Sequence, residues 1–196
     1  MNIKNIANSI LNFTINRLIE IFGIIITFIG FFLLVSLTSY SPSDPNFIFD
    51  NNLKIKNILG FQGSYTSDLF LQSIGTISYL VPLTFIITGI NVFKEKKILL
   101  LVENTFFIVI YSIIGSVFFN YFHNESFRLF INGNGGFVGS YFNQLFFEKI
   151  IEINQIIFYY FLIALTFIFF LFSVNFKIQN FISFIKNILN LLMKNN

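Results

Sequence analysis

The sequence predicts an all-α integral membrane protein: four transmembrane helices in two hairpins, with amphipathic surface helices. Three observations predict it. First, 55% of the 196 residues are hydrophobic and only 11% are charged, against about 25% charged in a typical soluble domain. A chain of this length can bury a core in water, but not this many apolar side chains. Second, four apolar runs approach the roughly 20 residues that cross a ~30 Å hydrocarbon core as a helix. Third, the basic residues gather at alternate ends of those runs, as the positive-inside rule requires.

The run Ile74–Val92 orients the others. It carries no charge and is followed at once by Lys94, Lys96 and Lys97, which places that end in the cytoplasm. Spans are expected at 21–37, 74–92, 98–119 and 156–174, between interfacial segments at 1–20 and 175–196. Lys4, Arg17, Lys94, Lys96, Lys97, Lys177, Lys186 and Lys194 then fall inside, eight of the twelve basic residues, and Lys54, Lys56, Arg128 and Lys149 fall outside. Both termini are expected in the cytoplasm. The net charge of +3 needs no nucleic-acid partner, because most cations sit beside apolar runs.

Residues 1–20 place Ile3, Ile6, Ile10 and Phe13 at helical spacing among asparagines, a weakly amphipathic helix suited to the membrane surface. In the first span, Gly23 and Gly30 lie two turns apart, where a second helix can approach. Ser39-Tyr-Ser-Pro-Ser-Asp-Pro45 stops that helix, since proline lacks a donor and restricts its predecessor. The outside loop to about Ser67 carries Asp44, Asp50, Lys54 and Lys56. Pro82 stands in mid-span and is expected to free the Ser78 carbonyl and kink the helix. Glu103 is the one charge of the third span, close enough to its start to reach headgroups.

In the second outside loop, Gly133-Asn-Gly-Gly136 is a flexible turn. A helix lying on the surface is expected over 137–151. The tail, with Lys177, Gln179, Asn180, Lys186, Asn187 and Asn190, is expected to lie on the inner surface. The two loops also echo each other. Gly60-Phe-Gln-Gly-Ser-Tyr65 matches Gly136-Phe-Val-Gly-Ser-Tyr141, and each is followed by Leu-Phe (Leu69-Phe70, Leu145-Phe146). Each reads as a glycine turn that starts an outer-surface helix feeding the returning span. Both copies face the same way, so this is a parallel repeat of hairpins.

Little catalytic chemistry is present. Cysteine is absent, so thiol catalysis, disulfides and cysteine metal sites are excluded. No Gly-Lys pair offers a phosphate loop. His123, Glu125 and Arg128 do not make a zinc site or a triad with a single histidine in the chain. No paired carboxylates lie within a span to relay protons. No cofactor, metal or catalytic residue is expected, nor an enzyme.

The motifs resemble the N-terminal four-span membrane domain of the FtsK/SpoIIIE family of bacterial DNA translocases. The matching residues are Ser39-Tyr40 with Asp44-Pro45 after the first span, then Asn57, Gly60, Gly63, Asp68, Gln72, Gly75, Tyr79 and Pro82. Gly135, Gly136 and Gly139 match before the fourth span. The likeness covers about Ile21 to Val174. The sequence departs at Phe61, where the family often has proline, and at Ser64, where it often has alanine. The sequence ends soon after the fourth span, without the family's ATPase motor. It is either a truncated or split product, with a motor encoded elsewhere, or a four-span protein acting alone. The resemblance implies an anchor and scaffold in the bacterial inner membrane at the division septum, serving cell division and chromosome segregation. The expected partners are membrane lipid, further copies of the chain, other division proteins and, for a split product, the separate motor. These residues are not expected to bind DNA. A small channel or transporter using Glu103 and the Pro82 kink is the competing reading, and an assembly subunit of another membrane complex a third.

Overall fold

The computed structural model describes residues 3–45, 54–125, 129 and 131–176, with side chains from residue 8 onward. The order is α1 (Ile3–Thr38), α2 (Gly60–Ile74), a 3-10 turn (Gly75–Tyr79), α3 (Leu80–Glu95), α4 (Leu99–Phe122), α5 (Gly136–Phe142), a π-helical turn (Asn143–Phe147), α6 (Glu148–Ile153) and α7 (Gln155–Ser173). No strand occurs among the described residues. Four helical stretches are long and apolar enough to cross a membrane: Asn8–Thr38, Gly60–Glu95, Leu99–Phe122 and Gln155–Ser173. In lipid only a helix or a closed barrel satisfies every backbone donor and acceptor, so even isoleucine-rich and phenylalanine-rich runs fold as helices here.

Two antiparallel pairs build the bundle, α1 with α3 and α4 with α7. Glycine sets the first pair. A Cβ on Gly23 would lie 2.7 Å from the Phe93 backbone nitrogen, and one on Gly30 would lie 2.8 Å from that of Ile86. From the other side, a Cβ on Gly89 would lie 2.6 Å from the Gly23 carbonyl. The close approach expected of Gly23 and Gly30 is therefore made, and α3 supplies a third glycine to it. Aromatic contacts join the second pair: Phe107 with Phe169 and Phe172, Tyr111 with Phe170, and Phe118 and Phe122 with Tyr159.

A chain of buried polar groups ties the pairs together. The Thr84 hydroxyl lies 3.2 Å from the Tyr111 hydroxyl and 3.0 Å from that of Ser173. Asn104 Nδ2 donates to Thr88 Oγ1 and to Asn175 Oδ1, each at 2.8 Å. These contacts set Asn175, just past α7, beside the start of α4. Lys96 in the α3–α4 turn bonds Glu20 of α1 at 2.9 Å. The start of α4 and the end of α7 therefore share one end of the bundle with that turn. The loops after α1 and α4 form the opposite end.

Two expectations need correction. The segment 1–20 is not a separate surface helix: α1 is unbroken from Ile3, a rod of about 54 Å at 1.5 Å per residue. The second span is not one helix with Pro82 at its centre. Gly75 ends α2 at φ 68° and ψ −149°, a conformation open essentially to glycine. The chain resumes through the 3-10 turn. Pro82 then sits in the first turn of α3, where a missing N–H is tolerated, so the break belongs to Gly75. The region 137–151 is helical but passes through the π-helical turn at Asn143–Phe147. The fourth span starts anew at Asn154, whose side chain accepts from the Ile157 N–H at 3.1 Å. The tail from 177, together with Asp50 and Arg128, lies outside the described residues.

α2 and α5 are amphipathic with their faces reversed relative to a helix in water. On α2, Gly63, Ser64, Ser67 and Asp68 are buried, while Phe61 is 53% and Leu69 50% exposed. On α5, Gly136 and Gly139 are buried, while Phe137 is 59% and Tyr141 52% exposed. Small and polar residues face the protein and aromatic ones face outward, as a lipid interface favours.

Candidate functional site

The residues singled out by motif gather at the loop end. Groups outside the helix meet carbonyls at the end of α1: the Leu37 carbonyl accepts from the Tyr40 N–H at 3.3 Å and the Tyr79 hydroxyl at 3.2 Å, and Ser39 Oγ donates to the Val35 carbonyl at 2.6 Å. The chain leaves through Tyr40 and returns at Asn57. Asp44, 3% exposed, fastens the two strands of this loop, accepting from the backbone N–H of Lys56 at 2.9 Å and of Asn57 at 2.8 Å. Pro45 offers its carbonyl to Ser64 Oγ at 2.5 Å.

Asn57 is a three-way joint. Its Nδ2 donates to the Ser36 carbonyl at 2.9 Å, and its Oδ1 accepts from the Leu59 N–H at 3.0 Å. Ser36 Oγ in turn donates to the Gly63 carbonyl at 2.6 Å. Gly63 must be glycine at this crossing, since a Cβ would lie 2.1 Å from Asn57 Oδ1. Gly60, at φ +62°, turns the chain into α2 with open space beside it.

A polar chain then crosses α2 toward the second loop. The Tyr40 hydroxyl donates to Asp68 Oδ1 at 3.3 Å, and Gln72 Nε2 donates to the same oxygen at 3.5 Å. Asn132 Nδ2 reaches both the Gln72 carbonyl and Gln72 Oε1 at 3.2 Å. Burial, and then the neighbouring Asp68 carboxylate, push the Tyr40 phenol well above its ordinary range.

The second loop docks on Gly75. The Asn134 carbonyl accepts from the Thr76 N–H at 2.8 Å, and a Cβ on Gly75 would lie 1.9 Å from that carbonyl oxygen. Asn134 Nδ2 bridges the carbonyls of His123 at 2.8 Å and Glu125 at 2.7 Å. Gly136, at φ +65°, starts α5 as Gly60 starts α2. A Cβ on Gly135 would lie 2.4 Å from Asn120 Cβ, and one on Gly139 would lie 2.3 Å from the Ser116 carbonyl. Asp44, Pro45, Asn57, Gly60, Gly63, Asp68, Gln72, Gly75, Gly135, Gly136 and Gly139 thus belong to one hydrogen-bonded and close-packed cap. Pro82 stands apart in α3.

This cap holds two loops against the bundle through backbone groups, buried carboxylates and glycine crossings. No group of three or more potential metal ligands occurs among the described residues. Glu103 is exposed in the second turn of α4, at the end of the bundle away from the cap, while Pro82 begins the antiparallel α3. The two do not meet. Sequence reasoning missed the partners: Ser36, Asn132 and Asn134 at the cap, and Thr84, Thr88, Asn104, Tyr111 and Ser173 within the bundle. The i, i+4 spacing of Thr84 with Thr88 was the available signal. Asparagine is too frequent in this chain for Asn132 or Asn134 to stand out.

Fold and cap define a multi-pass helical membrane domain. Its four crossings match, over residues 16–186, the family model described as the 4TM region of DNA translocase FtsK/SpoIIIE, and the chain belongs to that family. Among similar proteins are those named DNA translocase FtsK from Rickettsia bellii (34% identical over 38% of this chain and 10% of the relative), Shewanella oneidensis (35% over 52% and 11%) and Azospirillum brasilense (31% over 44% and 14%). The matched stretch spans about a tenth of the length of these relatives. No solved structure matches the chain.

Proposed function

We propose that this chain is a membrane anchor and scaffold acting at the bacterial division septum, in cell division and chromosome segregation. The family match across 16–186 carries the reading. The cap supports it, because its buried groups are spent on holding two loops in fixed positions rather than on chemistry. In this reading the chain lies in the inner membrane with both ends in the cytoplasm. The loop end faces outward, where the fixed loops would meet other division proteins. Copies of the chain associate with one another and work with a translocase motor, and these residues neither hydrolyse ATP nor touch DNA.

A fluorescent fusion expressed in dividing cells tests the proposal. It is expected to form a band at midcell. Uniform distribution around the membrane in dividing cells would overturn the septal role. A topology reporter active in the cytoplasm is expected when fused near residue 96 and inactive when fused in the loop after α1.

A further inference from the structure

An apolar groove of about 280 Å³ runs along the outer side of the α1–α3 pair, lined by Ile24, Thr27, Phe28, Phe31, Ile90 and Phe93. It exists because Gly23, Gly30 and Gly89 draw the two helices together while their flanking aromatic side chains splay outward. Phe28 is 70% exposed. The one polar side chain in the lining is internally satisfied, since Thr27 Oγ1 donates to the Gly23 carbonyl at 2.9 Å. The groove therefore asks for hydrocarbon and offers a ligand no hydrogen bond along its length.

One end of it is different. Glu20 lies one turn before Ile24, and Lys94 directly follows Phe93. Glu20 is bonded by Arg17 at 2.5 Å and by Lys96 at 2.9 Å. Lys94 is exposed, and Lys97, 3.6 Å from Glu95, is 69% exposed. Arg17, Lys94, Lys96 and Lys97, with Glu20 and Glu95, thus gather at this end of the helix pair, a surplus of positive charge. Glu20 holds Arg17 and Lys96 in place without using all their donors: the Arg17 side chain is 57% and that of Lys96 41% exposed.

A slot for a hydrocarbon chain that opens under a cationic crown, on a membrane-spanning helix pair, has the chemistry of one ligand class. We infer that the α1–α3 groove holds an acyl chain of an anionic glycerophospholipid, with its phosphate headgroup against Lys94, Lys97 and the outer faces of Arg17 and Lys96. Juxtamembrane cations attract anionic lipid, and the groove fixes where that lipid sits. A second apolar cleft of about 300 Å³, between α4, α7 and the 3-10 turn, includes Phe118, Phe167 and Phe170 and has no basic residue in its lining. It serves as the internal control.

The chain contains no tryptophan, so a single introduced indole reports without background. The full chain carrying Phe28→Trp or Phe167→Trp would be reconstituted in phosphatidylcholine bilayers. Each bilayer would contain a fixed fraction of either brominated phosphatidylglycerol or brominated phosphatidylcholine. Phe167 lies farther along the bundle than Phe28, beside Ile77 and Leu80, so the two lipids, brominated at the same acyl position, are compared at each indole by itself and depth cancels from the ratio. The indole of the Phe28→Trp protein is expected to be quenched about two-fold or more better by the anionic lipid. The Phe167→Trp protein is expected to show a ratio near one. Adding Lys94→Gln and Lys97→Gln is expected to bring the Phe28→Trp ratio to one as well. Equal quenching by both lipids at Phe28, or a preference that survives loss of both lysines, overturns the inference. So does absence of quenching by either lipid while the Phe167→Trp protein is quenched, the result expected if a second copy covers the groove. Phe31→Trp, in the same lining, replaces Phe28→Trp if that protein does not fold.

Discussion

Gly75 and Gly136 meet backbone to backbone. A Cβ on Gly136 would lie 2.5 Å from the Gly75 nitrogen and 2.7 Å from the Ser73 carbonyl oxygen. Both residues hold positive φ, 68° at the end of α2 and 65° at the start of α5. One glycine ends the surface helix of the first hairpin and the other begins that of the second, so the two halves touch where neither can carry a side chain.

Gly75→Ala is expected to be among the most damaging single changes in the cap. It adds the cost of a backbone conformation open essentially to glycine, about 1–3 kcal/mol, to an overpacking cost of about 1–3 kcal/mol. The expected loss is about 2–6 kcal/mol, measured as a fall in midpoint on unfolding the purified protein in detergent. Gly60→Ala is the contrast. It shares the positive φ but meets nothing within 4 Å, so only the backbone cost of about 1–2 kcal/mol applies.

Asp44→Ala removes the acceptor of two backbone donors. Hydrogen bonds to charged groups are worth about 1.5–3 kcal/mol each, and the Lys56 and Asn57 N–H groups are left unmet by this side chain. Asp44→Ala is therefore expected to lower the unfolding midpoint of the purified protein in detergent, by a loss of at least about 1.5–3 kcal/mol. Asp44→Asn keeps one acceptor oxygen and is expected to fall between.

Tyr40 sets an alkaline limit. Its phenol is held above the ordinary value of 10.0 by burial and by Asp68. Below pH 10 the phenol is neutral in both folded and unfolded chains, and its contribution is fully present. As pH rises past 10 the unfolded chain loses that proton first, so stability falls. Tyr40→Phe is expected to flatten that decline, at the cost of about 0.5–1.5 kcal/mol at neutral pH for the lost bond to Asp68. Unfolding midpoints between pH 8 and pH 11 would show both effects.

The adjacent residues Glu103 and Asn104 are expected to give opposite answers. Glu103 is exposed, and Glu103→Gln is expected to change stability by no more than about 0.5 kcal/mol and to leave liposomes as ion-tight as before. Asn104, 1% exposed, joins α4 to Thr88 and Asn175. Asn104→Ala is expected to cost about 0.6–1.7 kcal/mol, the range for interhelical hydrogen bonds in membranes.

Much of this architecture could be read from composition and spacing, because lipid imposes so few solutions on a backbone. The apolar runs at 98–119 and 156–174 coincide within a few residues with helices α4 and α7 for that reason. The repeat was legible as well, since a glycine at positive φ leaves a fixed mark, and Gly60 and Gly136 carry it. Pro82 was misread because proline breaks helices in general. Its actual place in a first turn follows from the earlier stop at Gly75, which depends on Asn134, 59 residues on. The polar partners stayed hidden for a related reason. Nothing local distinguishes Ser36 or Asn132 from the other serines and asparagines until the fold brings Gly63 and Gln72 beside them.

α1 runs from Ile3 to Thr38 without a hinge. Its two internal glycines are clamped by α3, so they add no slack. Such a shaft would carry a twist or a tug applied near its beginning, undiminished, to Ser36, where the Gly63 and Asn57 contacts would register it. Any force exerted near the first residues would then be felt at the far side of the bilayer.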